Sequence, residues 1–494
     1  MAGGRYPGPG CRAVADEPRA DASMCRERCA HMTPDEIRMA RPATLSSIPS
    51  SALALSRRQM MATGQWNAGQ LMGRRWPIGC VALEITQRCN LDCTACYLSE
   101  NSEAVHDLPL SEVFRRIDMV YQHYGPGTDV QVTGGDPTLR QHNELVQIVR
   151  RIRAKQMRPT LFTNGIRATR DLLRALADAG LIDVAFHVDM TQGRRGFDNE
   201  VALNALRQDY IERARGLGLS VFFNTTVFAG NLDQIPAVVR FFVRNADAVS
   251  MASFQLQADT GRGVLGARPS CITIESVKQR IIAGAGAALS FETIQIGHAD
   301  CNRCAMALVT NDKVYDMLDD RKLVTDITEV TAKVRFDRQN RPALLRTFAA
   351  SLLAHPTVLA RGLIWLISKI WLARADLAAA RGKVSKLSFF VHNFMDACAL
   401  ERSRVDACTF VAMTAEGPIS MCLHNAKRDA FILQPLRTSG ATGEQLWNPL
   451  SGKFETAGAA LAANTVHHSR KTAKGRLKRL GESRQSQSPS TELR

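Results

Sequence analysis

Between about residue 78 and residue 260 the chain alternates short apolar segments with amphipathic ones, and that alternation leaves few folds open. Val81 to Thr86, Asp129 to Thr133, Pro159 to Thr163, Asp183 to Asp189, Ser220 to Val227 and Ala248 to Phe254 are rich in β-branched and aromatic residues. Runs of this kind suit strands buried on both faces of a parallel sheet. Between them Leu145, Ile148, Val149 and Ile152 recur at helical spacing, as do Leu172, Leu173, Leu176 and Ala179, and then Leu232, Ile235, Val238, Val239 and Phe242. The pattern predicts an α/β fold, a partial (β/α)6 TIM-like barrel, in which the loops after the strands gather at one face and hold the site.

The loop after the first strand reads Cys89-Asn-Leu-Asp-Cys93-Thr-Ala-Cys96. Three thiolates so spaced can hold three irons of a four-iron cubane and leave the fourth without a protein ligand. An incomplete ligand set leaves a coordination position for substrate, as at catalytic zinc, whereas a closed set carries structure or electrons. Cys80 is close in sequence, but the intervening strand, rising about 3.3 Å per residue, carries it to the opposite end. The bland alternative is a structural zinc loop, and no matching ligand pair follows closely.

After the second strand comes Thr133-Gly134-Gly135-Asp136-Pro137, whose glycines let the backbone approach a ligand and whose carbonyls can accept from an ammonium group. After the third, Thr163-Asn164-Gly165 offers polar contacts. After the fourth, His187 and Asp189 alternate with apolar neighbours, so both can face the lumen, where satisfied core polar residues are the competing reading. Arg194 or Arg195 can pair with a carboxylate in two-pronged geometry, and the sequence does not choose between them. Asn224, Thr225, Thr226, Gln255 and Gln257 add hydrogen-bonding positions at the last two strands.

These motifs together resemble the radical S-adenosylmethionine (radical SAM) superfamily. The resemblance implies a [4Fe-4S] cluster on Cys89, Cys93 and Cys96, with S-adenosylmethionine chelating the open iron. It places Gly134, Gly135 and Asp136 at the methionyl amine, where the family has Gly-Gly-Glu-Pro, and adds Asn164, Asp189, Arg194 and Arg195 as cofactor contacts. It further implies one-electron cleavage of the cofactor to a 5'-deoxyadenosyl radical that takes hydrogen from an unactivated carbon, fed by a low-potential donor of flavodoxin or ferredoxin type. The family often has an aromatic residue before the third cysteine. Here Ala95 stands there and Tyr97 follows, read as a shifted adenine contact.

Beyond the barrel a C-terminal α+β extension carries more cysteines. Cys301-Asn-Arg-Cys304 has the two-residue gap of a metal pair, and Cys408 and Cys422 flank a predicted hairpin turning at Ala415-Glu416-Gly417-Pro418. An auxiliary iron-sulfur cluster on Cys301, Cys304, Cys408 and Cys422, with Cys271 or Cys398 as substitutes, competes with buried unliganded thiols and with zinc. His298-Ala-Asp-Cys301, Phe394-Met-Asp-Ala397, Glu401-Arg402, Val405-Asp-Ala-Cys408 and Cys422-Leu-His-Asn425 are similar to the tetraether lipid synthase-like group. That similarity implies auxiliary [4Fe-4S] clusters and radical coupling between lipid acyl chains. The archaeal members carry an N-terminal iron site with paired cysteines, of which only Cys25 and Cys29 remain here. Peptide maturases with auxiliary clusters and a non-catalytic iron-sulfur electron carrier are the alternatives.

Val358 to Leu372 reads as an apolar helix with Trp365 and Trp371. Arg361 and Lys369 argue against a bilayer span of about 20 apolar residues. A buried core or tunnel-lining helix is the reading preferred over an interfacial one. The expected organisation is a disordered segment over 1–65, the barrel over 78–260, the cysteine-bearing region over 261–435 and a basic disordered tail over 465–494. Arg5, Pro7 and Pro9 stand where a signal peptide needs an apolar run, so the thirteen cysteines predict metal ligands in a reducing cytoplasm rather than a secreted disulfide framework. A good part of the net charge of +16 sits in the tail and points to a solvated end or a peripheral membrane contact. No aromatic-studded platform suggests nucleic acid.

Overall fold

The computed structural model describes residues 52–334, 341–440 and 443–455. The readings placed on Cys25, Cys29 and the basic tail lie outside the described residues. Six parallel strands follow one another as neighbours: β1 (Cys80–Thr86), β2 (Asp129–Gly134), β3 (Arg158–Thr163), β4 (Asp183–His187), β5 (Ser220–Val227) and β6 (Val249–Leu256). Helices Leu110–Tyr124, His142–Ala154, Arg170–Asp178, Asn204–Ala214 and Ile235–Arg244 connect them, so the expected α/β architecture is present.

The period of two along each strand divides the side chains. Val81, Leu83, Val130, Val132, Leu161, Val184, Val221 and Phe223 are buried with the helix residues Val113, Ile117, Leu145, Ile148 and Leu173. Ala82, Glu84, Gln131, Thr133, Phe162, Ala185, His187, Asn224 and Thr226 instead line an internal cavity.

The sheet does not close. It extends at both edges with strands from the second half: β9 (Ser385–His392) lies parallel to β6, followed outward by the antiparallel β7 (Asn302–Thr310) and β8 (Lys313–Asp316). On the other edge β10 (Phe410–Thr414) runs parallel to β1 and turns back into β11 (Gly417–Ser420), the predicted hairpin. The two flanks meet through rings instead of hydrogen bonds, with Phe410 4.8 Å from His392 and 6.0 Å from Phe390 between centroids. A separate sheet holds β12 (Leu436–Gly440), β13 (Gly443–Asn448) and β14 (Lys453–Glu455).

Two expectations need correction. The segment to residue 65 is not wholly disordered, because Ala52–Ala62 is a helix whose Met60 is fully buried with Leu71, Met72, Ile296 and Phe390. Gln59 also donates to the Asp406 carbonyl at 2.6 Å. A helix this short depends on tertiary packing, which composition does not register. The apolar helix extends over Pro356–Ala379 and lies on the outside of the molecule, with Ile364 67% and Trp371 69% exposed.

One buried ion pair shapes the loop after β4. Arg207 binds the Glu200 carboxylate, donates to the Val188 carbonyl at 2.8 Å, and both its side chain and that of Glu200 are wholly buried. Glu200 in turn accepts from the Met190 amide at 3.1 Å and from Asn231 at 2.8 Å. Arg207→Ala leaves a carboxylate buried without its cation, and is expected to lower unfolding free energy by about 3–5 kcal/mol in urea denaturation.

Candidate active site

The cavity is about 220 Å³ and runs from the strand ends into the lumen. The loop bearing Cys89, Cys93 and Cys96 forms one wall, and all three residues line it together with Tyr97, Gly134, Gly135, Asn164 and His187. Met421, Cys422, His424 and Asn425 from the second half contribute as well.

The cysteine loop is tied down from three sides. The Thr94 amide donates to the Thr191 carbonyl at 2.8 Å. The amides of Arg262, Gly263 and Val264 donate to the carbonyls of Leu98, Cys96 and Thr94 at 2.6, 3.1 and 2.7 Å. Asn164 donates to Asn90 at 2.6 Å and lies 3.9 Å from the Cys89 sulfur. The strap formed by Gly261-Arg262-Gly263 was missed in the sequence. Its signal was two glycines around one arginine, and a Cβ at Gly261 would meet the Tyr97 backbone at 2.4 Å.

Gly134 and Gly135 are required by the fold itself. A Cβ on either would lie 2.0 Å from a carbonyl oxygen, that of Thr86 or of Arg88, and Gly134 has a φ of 131°. Asp136 is fully buried and does not line this cavity. It accepts from the Thr138 and Asn164 amides at 3.0 and 2.8 Å and from the Thr163 hydroxyl at 2.9 Å, so it binds the β2 loop to the β3 loop. Tyr97 departs from the adenine role read for it, because its hydroxyl donates to the Gly134 carbonyl at 2.6 Å and its ring lies 4.8 Å below the Arg428 guanidinium.

Asp189 also stands behind the wall. It accepts from the Thr191 and Thr226 amides at 2.9 and 2.8 Å and pairs with His187 Nε2 at 2.6 Å, which holds the His187 ring at the cavity. Burial alone would raise its pKa, but His187 and these donors outweigh it and hold the carboxyl at about 2. Arg194 is half-buried and donates to the Asn164 carbonyl at 2.6 Å, whereas Arg195 is exposed, so the geometry separates two arginines that spacing could not.

A polar group deeper in the cavity escaped the sequence reading. Glu84 on β1 receives two donations from Arg428, at 2.7 and 2.8 Å, and one from Gln87 at 2.8 Å. Burial opposes its charge, yet Arg428 and His424 hold it at about 2. His424 itself is lowered to about 4 by burial, so at neutral pH it carries no charge and Arg428 is the effective partner. Glu84 and Arg428 are 344 residues apart, so no local pattern joins them.

The remaining cysteines divide. Cys301 precedes β7 on one flank of the open sheet, and Cys408 and Cys422 bracket the β10–β11 hairpin on the other. These three act electrostatically on one another, and Arg404 donates to the Cys301 sulfur at 3.4 Å. Burial pushes the thiols of Cys301 and Cys422 up to about 11 and about 12, with Cys408 the next cause in each. Cys304 is not brought to them, because three residues along a strand reverse the side chain, and it packs with Met60, Ile296 and Phe390. Cys271 and Cys398 are disulfide-bonded and do not join the group.

The donor chemistry of the first loop suits a soft metal cluster. Among the described residues no three His, Cys, Asp or Glu side chains form a closed metal-holding group by themselves. The loop nevertheless presents three thiols to one cavity wall. Burial first, and then Cys96, Asp189 and Cys89, keep the Cys93 thiol well above its ordinary range, while Arg194 opposes them. Iron would supply the positive charge that displaces such protons.

Residues 83–242 match the model of the radical SAM superfamily, and this part of the chain is a radical SAM domain. The cofactors of that family are a [4Fe-4S] cluster and S-adenosylmethionine. Among curated proteins the chain is similar to a 7,8-dihydro-6-hydroxymethylpterin dimethyltransferase of Methanocaldococcus jannaschii, at 27% identity over 36% of each chain. It is also 31% identical to a probable GTP 3',8-cyclase of Pyrococcus abyssi, over 33% of this chain and 53% of that one. A PqqA peptide cyclase of Methylobacterium nodulans is 28% identical over 33% of this chain and 42% of its own. The chain thus spans between about a third and about a half of these relatives. They do not show a place within the tetraether lipid synthase-like group.

Two outcomes test this geometry. Arg194→Ala is expected to weaken S-adenosylmethionine binding about tenfold by calorimetry, and Arg195→Ala to leave it unchanged, since only Arg194 joins the Asn164 loop. The second concerns acid. A carboxyl whose folded pKa lies near 2, below its ordinary 3.8, stabilises fully above pH 3.8 and loses that contribution as pH falls toward 2. The stability curve of Asp189→Asn should therefore be flatter than the parent's between pH 3.8 and 2.

Proposed function

We propose that this chain is a hydrogen-abstracting radical SAM enzyme acting on a substrate that reaches the cavity between the cysteine loop and the β10–β11 hairpin. The single observation that supports it most is that the three thiols, the Gly134-Gly135 turn, Asn164 and His187 line one cavity at the ends of parallel strands. When bound, the cluster and S-adenosylmethionine would supply one-electron cleavage of the sulfonium bond and a 5'-deoxyadenosyl radical for hydrogen abstraction.

The chain's own residues do the positioning. Cys89, Cys93 and Cys96 would hold the cluster, and the clamp of Arg262, Gly263 and Val264 keeps their loop in place. Gly135 presents the backbone of the β2 turn, while Asn164 and His187, fixed by Asp136 and Asp189, offer polar contacts. Phe394, Met395 and Met421 give the wall an apolar side that excludes water from a reacting carbon, and Glu84, His424 and Asn425 give it a polar one. A low-potential flavodoxin or ferredoxin would deliver the electron.

For the second thiol group, Cys301, Cys408 and Cys422 are the ligands of an auxiliary iron-sulfur centre across the open edge of the sheet, and Cys304 drops out of the set. An acyl chain is the finer substrate reading, supported by the second-half motifs and the apolar side of the cavity. The peptide-maturase alternative has one observation in its favour, the similarity to a PqqA peptide cyclase.

Cys93→Ala should abolish 5'-deoxyadenosine formation in the reduced protein, and unchanged turnover would refute the assignment. Cys408→Ala should lower iron and sulfide per chain in anaerobically purified protein, whereas Cys304→Ala should leave both at the parent level. Deuterium from a labelled fatty chain should appear in 5'-deoxyadenosine. Deuterium from a labelled peptide instead would favour the maturase.

A further inference from the structure

The helix Pro356–Ala379 is turned inside out. Its inward ridge is ionic and polar: Arg361 pairs with Asp326 at 2.5 Å, Trp365 donates to Asp319 at 2.9 Å, Lys369 pairs with Asp319, and Asp376 accepts from Asn311 at 2.9 Å. These positions are four, four and seven residues apart and so share one helical face. The opposite face carries Leu363, Ile364, Ile367, Ile370 and Trp371, between 49% and 69% exposed. A helix of a globular protein ordinarily buries its apolar stripe and shows its charges to water. Here the body of the protein takes the charges and leaves the apolar stripe outside.

The exposure is concentrated. Of the fifteen large apolar residues exposed among the described residues, nine lie between Leu345 and Leu372, on this helix and on its neighbour Arg341–Leu353. A patch of that kind on a monomer marks an interaction surface.

Charge indicates what covers it. Over residues 341–379 the only acidic side chain is Asp376, which is engaged inward with Tyr315 and Asn311. Arg346, Arg374, Arg381 and Lys383 are exposed on or beside the pair of helices, and the Arg374 guanidinium stacks 4.3 Å over the Trp371 ring. Apolar side chains rimmed by cations, with tryptophan between, match an anionic bilayer surface, where acyl tails take the former and headgroup phosphates the latter. A second copy of the chain would set this basic rim against itself. The helix has the length and hydropathy to cross a membrane, but the ion pairs to Asp319, Asp320 and Asp326 hold it along the protein surface, so it lies in the plane of the interface.

We infer that the outward face of residues 341–379 seats this protein on an anionic lipid bilayer. The seat stands apart from the cavity, which none of these residues lines, and does not depend on the substrate reading. The test is sedimentation of the full anaerobic holoprotein with phosphatidylcholine vesicles, with and without phosphatidylglycerol. The parent should bind the anionic vesicles, less so at high salt. Ile364→Glu with Ile367→Glu and Trp371→Glu should bind about tenfold or more weakly, while 5'-deoxyadenosine formation and the circular dichroism spectrum stay unchanged. Tryptophan emission should shift to the blue on anionic vesicles in the parent and not in the triple variant. Equal binding by parent and triple variant would assign the affinity to other basic residues and overturn the inference. So would failure of the parent to bind, or a parent dimer in light scattering that the triple variant dissociates.

Discussion

The site depends on one crossing of backbones. Where β2 ends, Gly134 and Gly135 pass so close to Thr86 and Arg88 that neither position has room for a Cβ. The contact is sealed by the Gly135 amide donating to the Thr86 carbonyl at 2.9 Å and the Asp136 amide to that of Arg88 at 2.8 Å. Cys89 follows Arg88 directly, so this crossing brings the thiol loop and the glycine turn to one wall. Asp136 extends the connection to β3 and Asp189 extends it from β4 to β5, each through a buried carboxylate with amide donors. Buried charges are tolerable there because hydrogen bonds meet them, and a fully satisfied polar network holds its members in a single geometry. The residues most exposed to the cavity thus owe their positions to residues that never touch it.

The second half completes the same cavity. By adding β9 and β7 to one edge and β10 and β11 to the other, it flanks the open side of the barrel, and Phe410 packs against His392 and Phe390 where hydrogen bonding stops. The Cys301, Cys408 and Cys422 group lies across that opening, so a metal centre there would join the two flanks covalently. Cys422 lines the main cavity as well, so the proposed auxiliary centre would lie beside that cavity. Arg428 serves both regions, neutralising Glu84 on β1 and covering the Tyr97 ring next to Cys96.

Much of this was legible in the chain, for identifiable reasons. Strand bounds agree with the apolar runs to within about two residues, because burial on both faces of a parallel sheet demands continuous apolar sequence. The cysteine loop and the Gly134-Gly135 turn were visible because their chemistry requires fixed local spacing. Cys304 misled, since a two-residue gap means convergence on a loop and divergence on a strand, and β7 begins at Asn302. The helix Pro356–Ala379 misled in the same way, because apolar composition cannot tell which face the protein body will take.

By itself the sequence determined the order of strands and helices, the three thiols of one loop and the glycines that let two loops touch. All of these are set by neighbours within a few residues, where backbone geometry and side-chain periodicity operate. Only the tertiary structure decided that Arg194 reaches the Asn164 carbonyl while Arg195 stays exposed, that Asp136 and Asp189 brace the cavity wall from behind, and that Glu84 meets Arg428. It also decided that a helix rich in leucine and isoleucine faces outward. Those outcomes turn on which distant groups share a low-dielectric space, and the energy of bringing them together has no counterpart in local spacing.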